Sequence, residues 1–328
     1  MRYNDIGGGI RISELTLGCW QFAGMAYWGD QDERDSAAVV HAALDAGITC
    51  FDTAEAYGDG VSEQVLGRAL KGHRHNVVVA SKAVPDHFGR ESLKQACERS
   101  LRNLGTDYID IYQLHWPNRE IPYDETADTL RELIREGKVR AAGVSNFGPG
   151  DLREIHSLIP VVTDQVAYSL LFRAVEHEIV PACIEHNVGI LVYSPLAQSL
   201  LTGKYMTADD VPEERAATRL YSNERPATRH SEDGCEKEIF AALGEIRTIA
   251  DEVGVEMAPL SLAWLMQRPA VSSVIVGARD TGQLRRNMAA VSFDMPPELV
   301  ERLSTVTDTV KECLGANPDM WQTDSRIR

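Results

Sequence analysis

Eight short runs of apolar and β-branched residues recur along this chain, each followed by a longer stretch of different periodicity, and that alternation restricts the fold more than any other feature. The runs lie at 15–18, 49–52, 77–81, 109–114, 139–144, 161–166, 189–193 and 274–276. Between them, apolar residues spaced three and four apart mark helices, for example over 37–46, 62–70, 91–104 and 124–136. Strand followed by helix, repeated, describes a parallel sheet with crossover helices, and eight such units close into a (β/α)8 TIM barrel. A chain of 328 residues holds that barrel as one domain over 1–328 with room for insertions. An open doubly wound sheet is the second choice. It is disfavoured because Leu17-Gly18 leads into Cys19-Trp20-Gln21 rather than a glycine-rich dinucleotide turn. Gly7-Gly8-Gly9 reads instead as the turn of an N-terminal hairpin between Tyr3-Asn4 and Ile10-Arg11-Ile12. Two regions break the alternation: a long loop at 204–234 after the seventh run, placed to serve as a substrate lid, and a C-terminal extension from 311 to 328.

Charge and composition remove several function classes. Lys plus Arg number 33 against 49 Asp plus Glu, a net −16 that repels polyanions, so nucleic acid is not an expected partner. No apolar stretch approaches about 18 residues and the start has no apolar leader core, so neither membrane spanning nor secretion is expected. The cysteines at 19, 50, 97, 183, 235 and 313 never form a C-x-x-C pair, which argues against a zinc knuckle or redox dithiol and makes a reducing cytoplasm the simplest home. Gly203-Lys204 lacks the spacing of a phosphate loop, His177-Glu178 is followed by Pro181 where a zinc helix needs histidine, and His73 and His75 have no third ligand. No catalytic metal is expected.

Asp52, Lys82 and His115 each stand within about a residue of the C-terminal end of a run, the catalytic rim of a barrel, and Tyr57 follows five residues after Asp52. Taken singly they read as a cap, a surface charge and a core histidine. Together, on neighbouring strands, they place an acid, a phenol, an ammonium and an imidazole in one spot. A phenol with a pKa near 10 is a poor acid at neutral pH unless a cation stabilises its phenolate, which Lys82 would do while Asp52 holds Lys82. His115 would hydrogen-bond a carbonyl oxygen and turn it toward Tyr57, and that is the equipment for carbonyl reduction.

With these residues in view, the chain resembles the aldo-keto reductases, and the subgroup it resembles contains bacterial enzymes of sugar and inositol metabolism. Gly47-Ile48-Thr49-Cys50-Phe51-Asp52-Thr53-Ala54-Glu55-Ala56-Tyr57-Gly58 resembles the family signature, Ser81-Lys82 its lysine strand, Gln113-Leu114-His115-Trp116-Pro117 its histidine strand and Gly143-Val144-Ser145-Asn146-Phe147 its nicotinamide turn. The resemblance implies Tyr57 as general acid, Lys82 and Asp52 as its tuners, His115 as the substrate-positioning group, and NADP(H) as cofactor. It implies cofactor contacts from Cys19, Trp20 and Asp52, and from Ser145, Asn146 and Gln165 to the carboxamide. Tyr193 would stack on the nicotinamide, and Ser194, Pro195, Leu196, Gln198, Leu201 and Lys204 would follow the pyrophosphate. Gly277, Arg279, Gln283, Arg286 and Asn287 complete the adenosine end.

Arg279 is the best single candidate for the 2′-phosphate because its planar fork suits phosphate oxygens. Two positions depart from the family pattern. Ser199 replaces a usual glycine, and Arg286 stands where an acidic residue often contacts adenine, where it either strengthens 2′-phosphate binding or is a solvated helix residue. Trp20, Trp28 and Trp116, with Tyr57 and His115, would wall a pocket for a small carbonyl or polyol. Arg219, Tyr221, Arg225 and Arg229 in the long loop are candidates for an anionic or polyol substrate, against the plainer reading of a solvated loop. The same residues fit a sugar or inositol dehydrogenase working oxidatively. The family also contains cofactor-holding subunits of ion channels with little turnover, a regulatory alternative, and a nonredox barrel enzyme is a third. A homo-oligomer is compatible with this composition.

Overall fold

The computed structural model describes residues 1–24 and 29–328. Gly7, Gly8 and Gly9 take φ values of 90°, 59° and 68°, a region that residues with a Cβ resist, so the chain reverses there. The reversal joins β1 (Tyr3–Asp5) to β2 (Arg11–Ser13) as an antiparallel hairpin. Ile6, Ile10 and Ile12 of the hairpin form one buried cluster with Cys50, Val78, Ile111, Val162, Leu191 and Ile275, and so plug the end of the barrel where the strands begin.

The barrel consists of β3 (Leu15–Gly18), β4 (Cys50–Asp52), β5 (Val78–Ala83), β6 (Ile109–Leu114), β7 (Val139–Ser145), β8 (Val161–Ala167), β9 (Gly189–Tyr193) and β10 (Val271–Gly277). They pair in parallel in that order, and β10 closes on β3. Plug and lumen side chains cover one face and helices cover the other, so nearly every strand residue is buried. Three runs have the expected limits. The last is longer than 274–276 because Ser273 turns inward, pairing with Thr16 Oγ1 at 2.6 Å and donating to Ser13 O at 2.8 Å, and that polar pair interrupts the apolar signal.

The surrounding helices are α1 (Glu33–Asp45), α2 (Val61–Ala69), α3 (Arg90–Leu104), α4 (Tyr123–Arg135), α5 (Pro149–Leu158), α6 (Ile179–His186), α7 (Glu236–Val253), α8 (Met257–Leu265), α9 (Thr281–Ser292), α10 (Pro297–Thr305) and α11 (Asp308–Leu314). In α3 the buried set Leu93, Ala96, Cys97, Ser100, Leu101 and Leu104 follows three-four spacing, and Gly105 at φ 61° ends the helix. Asp32 starts α1 by accepting Arg34 N–H at 2.7 Å. Among the described residues no helix is long and apolar enough to cross a membrane.

The loop at 204–234 and the tail are built into each other. Arg219, 2% exposed, donates through Nη1 to Asn317 O at 2.8 Å and Asp319 O at 3.2 Å, through Nη2 to Leu314 O at 2.8 Å, and through Nε to Glu232. Tyr221 is buried, and Arg225 pairs with Glu213 and Glu236. The reading of Arg219 and Arg225 as substrate ligands is therefore corrected, because their guanidinium groups fasten this loop to its surroundings; Tyr221 is buried in the core and Arg229 is exposed. Cys235, just before α7, is disulfide-bonded to Cys313 in α11, whereas Cys19, Cys50, Cys97 and Cys183 are free and buried. The spacing of the cysteines gave no hint of that bridge.

Candidate active site

Asp52 is the last residue of β4, Lys82 the next to last of β5, and His115 follows β6, whose backbone N–H bonds to Ala83 O at 3.0 Å. Strand pairing of β4 with β5 and of β5 with β6 sets these three side by side at the C-terminal rim. Lys82 Nζ is fully buried and donates to Asp52 Oδ1 at 2.7 Å, to Thr53 O at 2.8 Å and to Tyr57 Oη at 3.3 Å. The Tyr57 ring stands edge-on to His115 with centroids 6.0 Å apart and stacks on Trp20 at 5.7 Å. The structure thus assembles the four residues expected from the sequence in one contiguous group.

Their electrostatics divide the work. Burial raises the Tyr57 phenol above its ordinary pKa, with the Lys82 ammonium opposing, so the phenol stays protonated at neutral pH. For Lys82, burial disfavours the charge, but Asp52 and Tyr57 outweigh it and its pKa rises, so it remains an ammonium. His115 is pushed down to about 3, by burial first and Lys82 second, and is therefore a neutral imidazole. Such a ring can donate or accept a hydrogen bond but holds no second proton to give.

A polar network extends from this group across the rim. Gln165 on β8 donates to Asp52 Oδ2 at 2.7 Å, and Gln113 on β6 approaches the same oxygen at 3.4 Å. Ser145 Oγ donates to Gln165 O at 2.9 Å, and Asn146, at φ 63°, donates from Nδ2 to His115 O at 3.2 Å. Tyr193, at the end of β9, donates from Oη to Asn146 Oδ1 at 2.9 Å. Ser145, Asn146, Gln165 and Tyr193 are thus gathered beside the Asp52–Lys82–Tyr57 group. The Gln165 amide N–H groups are directed at Asp52 and Gln113, which leaves its role as a tie as visible as any ligand role.

After Tyr193 the chain takes positive φ at Ser194, Ala197, Gln198 and Ser199, an irregular cradle closed by Ala197 N–H on Ser194 O at 2.9 Å and Ser199 N–H on Leu196 O at 3.0 Å. Leu196 is partly exposed, Pro195 and Leu201 are buried beneath, and Lys204 is exposed with its ammonium 4.6 Å from the Tyr205 ring centroid. On the far side of the rim, β10 runs into Gly277, Ala278 and Arg279. Gln283 Oε1 accepts Arg279 N–H at 3.0 Å, Asn287 Nδ2 donates to Gly277 O at 3.3 Å, and Arg286 is exposed on α9. Cys19 is buried with its N–H on Asp52 O at 2.8 Å. Trp28 lies outside the described residues.

Sequence reasoning missed the tail. Arg326 lays its guanidinium over Trp116, 3.7 Å from the ring centroid, and pairs with the buried Asp319 at 2.7 Å. Trp321, Asp319 and Arg326 all act on the Tyr193 phenol. Arg328 O accepts the N–H groups of Gly150 and Asp151 at 3.1 and 3.2 Å, at the start of α5 and just beyond the Asn146 turn. The Asn317-Pro318-Asp319 turn signal marks a bend, but nothing local says what the bend packs against.

The Aldo/keto reductase family model matches residues 14–308, and the chain belongs to this family. It is 33% identical to aldo-keto reductase YhdN of Bacillus subtilis, with 96% of each chain covered. Among solved structures it is similar to an aldo/keto reductase of Klebsiella pneumoniae in complex with NADP and acetate, at 31% identity and TM-score 0.74 over 92% of this chain and 93% of that one. It is also similar to a glycerol dehydrogenase of Gluconobacter oxydans, at 29% identity and TM-score 0.82 over 94% of this chain and 95% of that one.

Proposed function

We propose that the protein is an NADP(H)-dependent oxidoreductase that reduces aldehydes, ketones or keto-sugars, with Tyr57 as the proton donor. The observation that carries this reading is the buried chain Asp52–Lys82–Tyr57 with a neutral His115 on the other side of the phenol.

The residues present suit the nucleotide. Gln198 Oε1 is buried with no hydrogen-bond partner among the described residues, an acceptor suited to a ribose hydroxyl or another donor, and it lies in the positive-φ cradle. Ser145, Asn146 and Gln165 would hold the carboxamide, Tyr193 the nicotinamide face, and Ser194, Leu196, Gln198 and Lys204 the pyrophosphate. Gly277, Arg279, Gln283 and Asn287 would hold the adenosine end, with Arg279 on the 2′-phosphate. The Klebsiella pneumoniae relative with bound NADP supports this assignment. When bound, the reduced nicotinamide supplies a hydride to the carbonyl carbon.

The chain's own residues do the rest. Trp20 and Trp116 would wall the carbonyl compound, and the His115 imidazole would bond its oxygen and turn it toward Tyr57. Tyr57 Oη gives its proton to that oxygen as negative charge develops there, and the Lys82 ammonium at 3.3 Å stabilises the phenolate left behind. Asp52 keeps Lys82 aimed, and Gln165 keeps Asp52 aimed. Because His115 is neutral, the proton is drawn from the phenol.

Run backwards, the same groups accept a proton from a polyol, and the glycerol dehydrogenase relative makes that direction worth the same assay. A cytoplasmic home belongs to the same proposal and is supported by the four buried free thiols, while the Cys235–Cys313 bridge stands against it. The test is titration of the purified protein with NADPH and NADH by fluorescence, then a panel of aldehydes, ketones, keto-sugars and polyols followed at the nicotinamide absorbance. Tight NADPH binding with turnover of a carbonyl supports the proposal. Failure to bind either nucleotide refutes it.

A further inference from the structure

Arg279 is held in place by a segment of chain far from it in sequence. Its Nε donates to Gln31 Oε1 at 3.0 Å, its Nη2 donates to Asp30 O, and Gln31 Nε2 donates back to Arg279 O at 3.0 Å. Gly29 adjoins the same guanidinium, with a Cβ position 3.9 Å from Nη1. The start of this β3–α1 connection is fastened to the residues just before. Gln21, buried, donates to Gly18 O at 2.8 Å and to Ala278 O at 3.1 Å, and a Cβ on Gly277 would come within 2.8 Å of Gln21 Oε1. Both ends of the connection therefore clasp residues 277–279, and its second residue, Trp20, is the one that stacks on Tyr57.

The chemistry of the clasp is selective. Gln31 offers an amide oxygen and Asp30 a backbone carbonyl, so the guanidinium is oriented by neutral acceptors and keeps its full positive charge. Of its five N–H donors these bonds use two. An acidic side chain at 31 would hold the fork as well and cancel its charge. A site meant only to immobilise Arg279 would be better served by the acid, because charge-assisted bonds are the stronger ones.

We infer that Gln31 is a positioning residue for cofactor choice: it orients Arg279 toward the 2′-phosphate without neutralising it, and so sets the preference for NADP(H) over NAD(H). The inference rests on the reading of Arg279 as the 2′-phosphate ligand. NAD(H) carries no phosphate at that position, so its binding is indifferent to the state of the fork. Preorganisation of a charged fork also saves the ordering cost that a free arginine would meet on binding.

The experiment measures dissociation constants for NADPH and NADH, by fluorescence titration, in wild type, Gln31→Glu, Gln31→Ala and Arg279→Ala. Gln31→Glu retains the bond to Nε but sets a carboxylate beside the phosphate, and the expected loss is about tenfold or more for NADPH with NADH within about twofold. Gln31→Ala releases the fork and keeps its charge, so NADPH weakens by about three- to fivefold and NADH again stays level. A purely structural role for Gln31 would move both nucleotides together. If Arg279→Ala is selective against NADPH and Gln31→Glu is not, the inference alone is overturned. If Arg279→Ala weakens both nucleotides equally, the 2′-phosphate reading falls and the inference falls with it.

Discussion

Replacing Lys82 by Met keeps the length of the side chain and removes the ammonium bonded to Tyr57 Oη at 3.3 Å. At an effective dielectric of 20, two unit charges at that distance interact by about 5 kcal/mol. The transition state carries part of a phenolate charge; taking about half gives roughly 2–3 kcal/mol, or a fall in kcat of about 30- to 160-fold. The phenol also loses the cation that offsets its burial, so its pKa rises further and the alkaline limb of the kcat/KM profile moves upward or leaves the accessible range. Steady-state kinetics across pH with a saturating carbonyl substrate, alongside NADPH titration, separate the two effects. Among the described residues Lys82 Nζ bonds to Asp52, Thr53 and Tyr57, so NADPH affinity should stay within about threefold. A drop in kcat under about threefold, or an alkaline limb that does not move, would refute the coupling of Lys82 to the phenol.

Other consequences follow from groups outside that coupling. Burial raises the Asp164 carboxyl to about 8, and its Oδ2 has no hydrogen-bond partner among the described residues while Oδ1 faces Phe147 N–H at 3.4 Å. Its folded pKa lies above the unfolded one, so the stability it costs grows as pH rises from about 4 to about 8 and is absent below. Asp164→Asn should therefore stabilise by an amount of the order of a few kcal/mol near pH 8 and by little near pH 4, read by urea unfolding at both. The Cys235–Cys313 bridge closes a loop with a sequence separation of 78 and is exposed at Cys313, so reductant or Cys313→Ser should lower stability by about 4 kcal/mol in the chain-entropy account. An unchanged Tm with reductant would show the bridge to be dispensable. Arg279→Ala should weaken NADPH far more than NADH, and equal losses would remove Arg279 from the 2′-phosphate.

The barrel was legible because burial on both faces leaves a mark inside each strand. Gly189–Tyr193 is uninterrupted enough to be bounded from sequence, whereas β10 was cut short by the inward-facing Ser273. Asp52, Lys82 and His115 were legible because a parallel barrel gives the C-terminal end of every strand the same address. What the sequence hid is what depends on partners distant along the chain. Arg219 read as a loop charge, yet its partners lie in the tail at Leu314, Asn317 and Asp319. Arg326 read only as part of the C-terminal extension, yet it covers Trp116. Gln31 drew no notice, because an isolated glutamine has no periodicity, and its partner lies at Arg279. Such contacts join surfaces that local spacing does not describe.

The most direct measurement of the central claim is single-turnover reduction of a carbonyl substrate by NADPH on wild type and Tyr57→Phe, with NADPH binding measured on the same preparations. The account predicts equal binding and a rate reduced by roughly 100-fold or more in Tyr57→Phe, the scale for losing a positioned general acid. A Tyr57→Phe rate close to wild type, with binding intact, would contradict it.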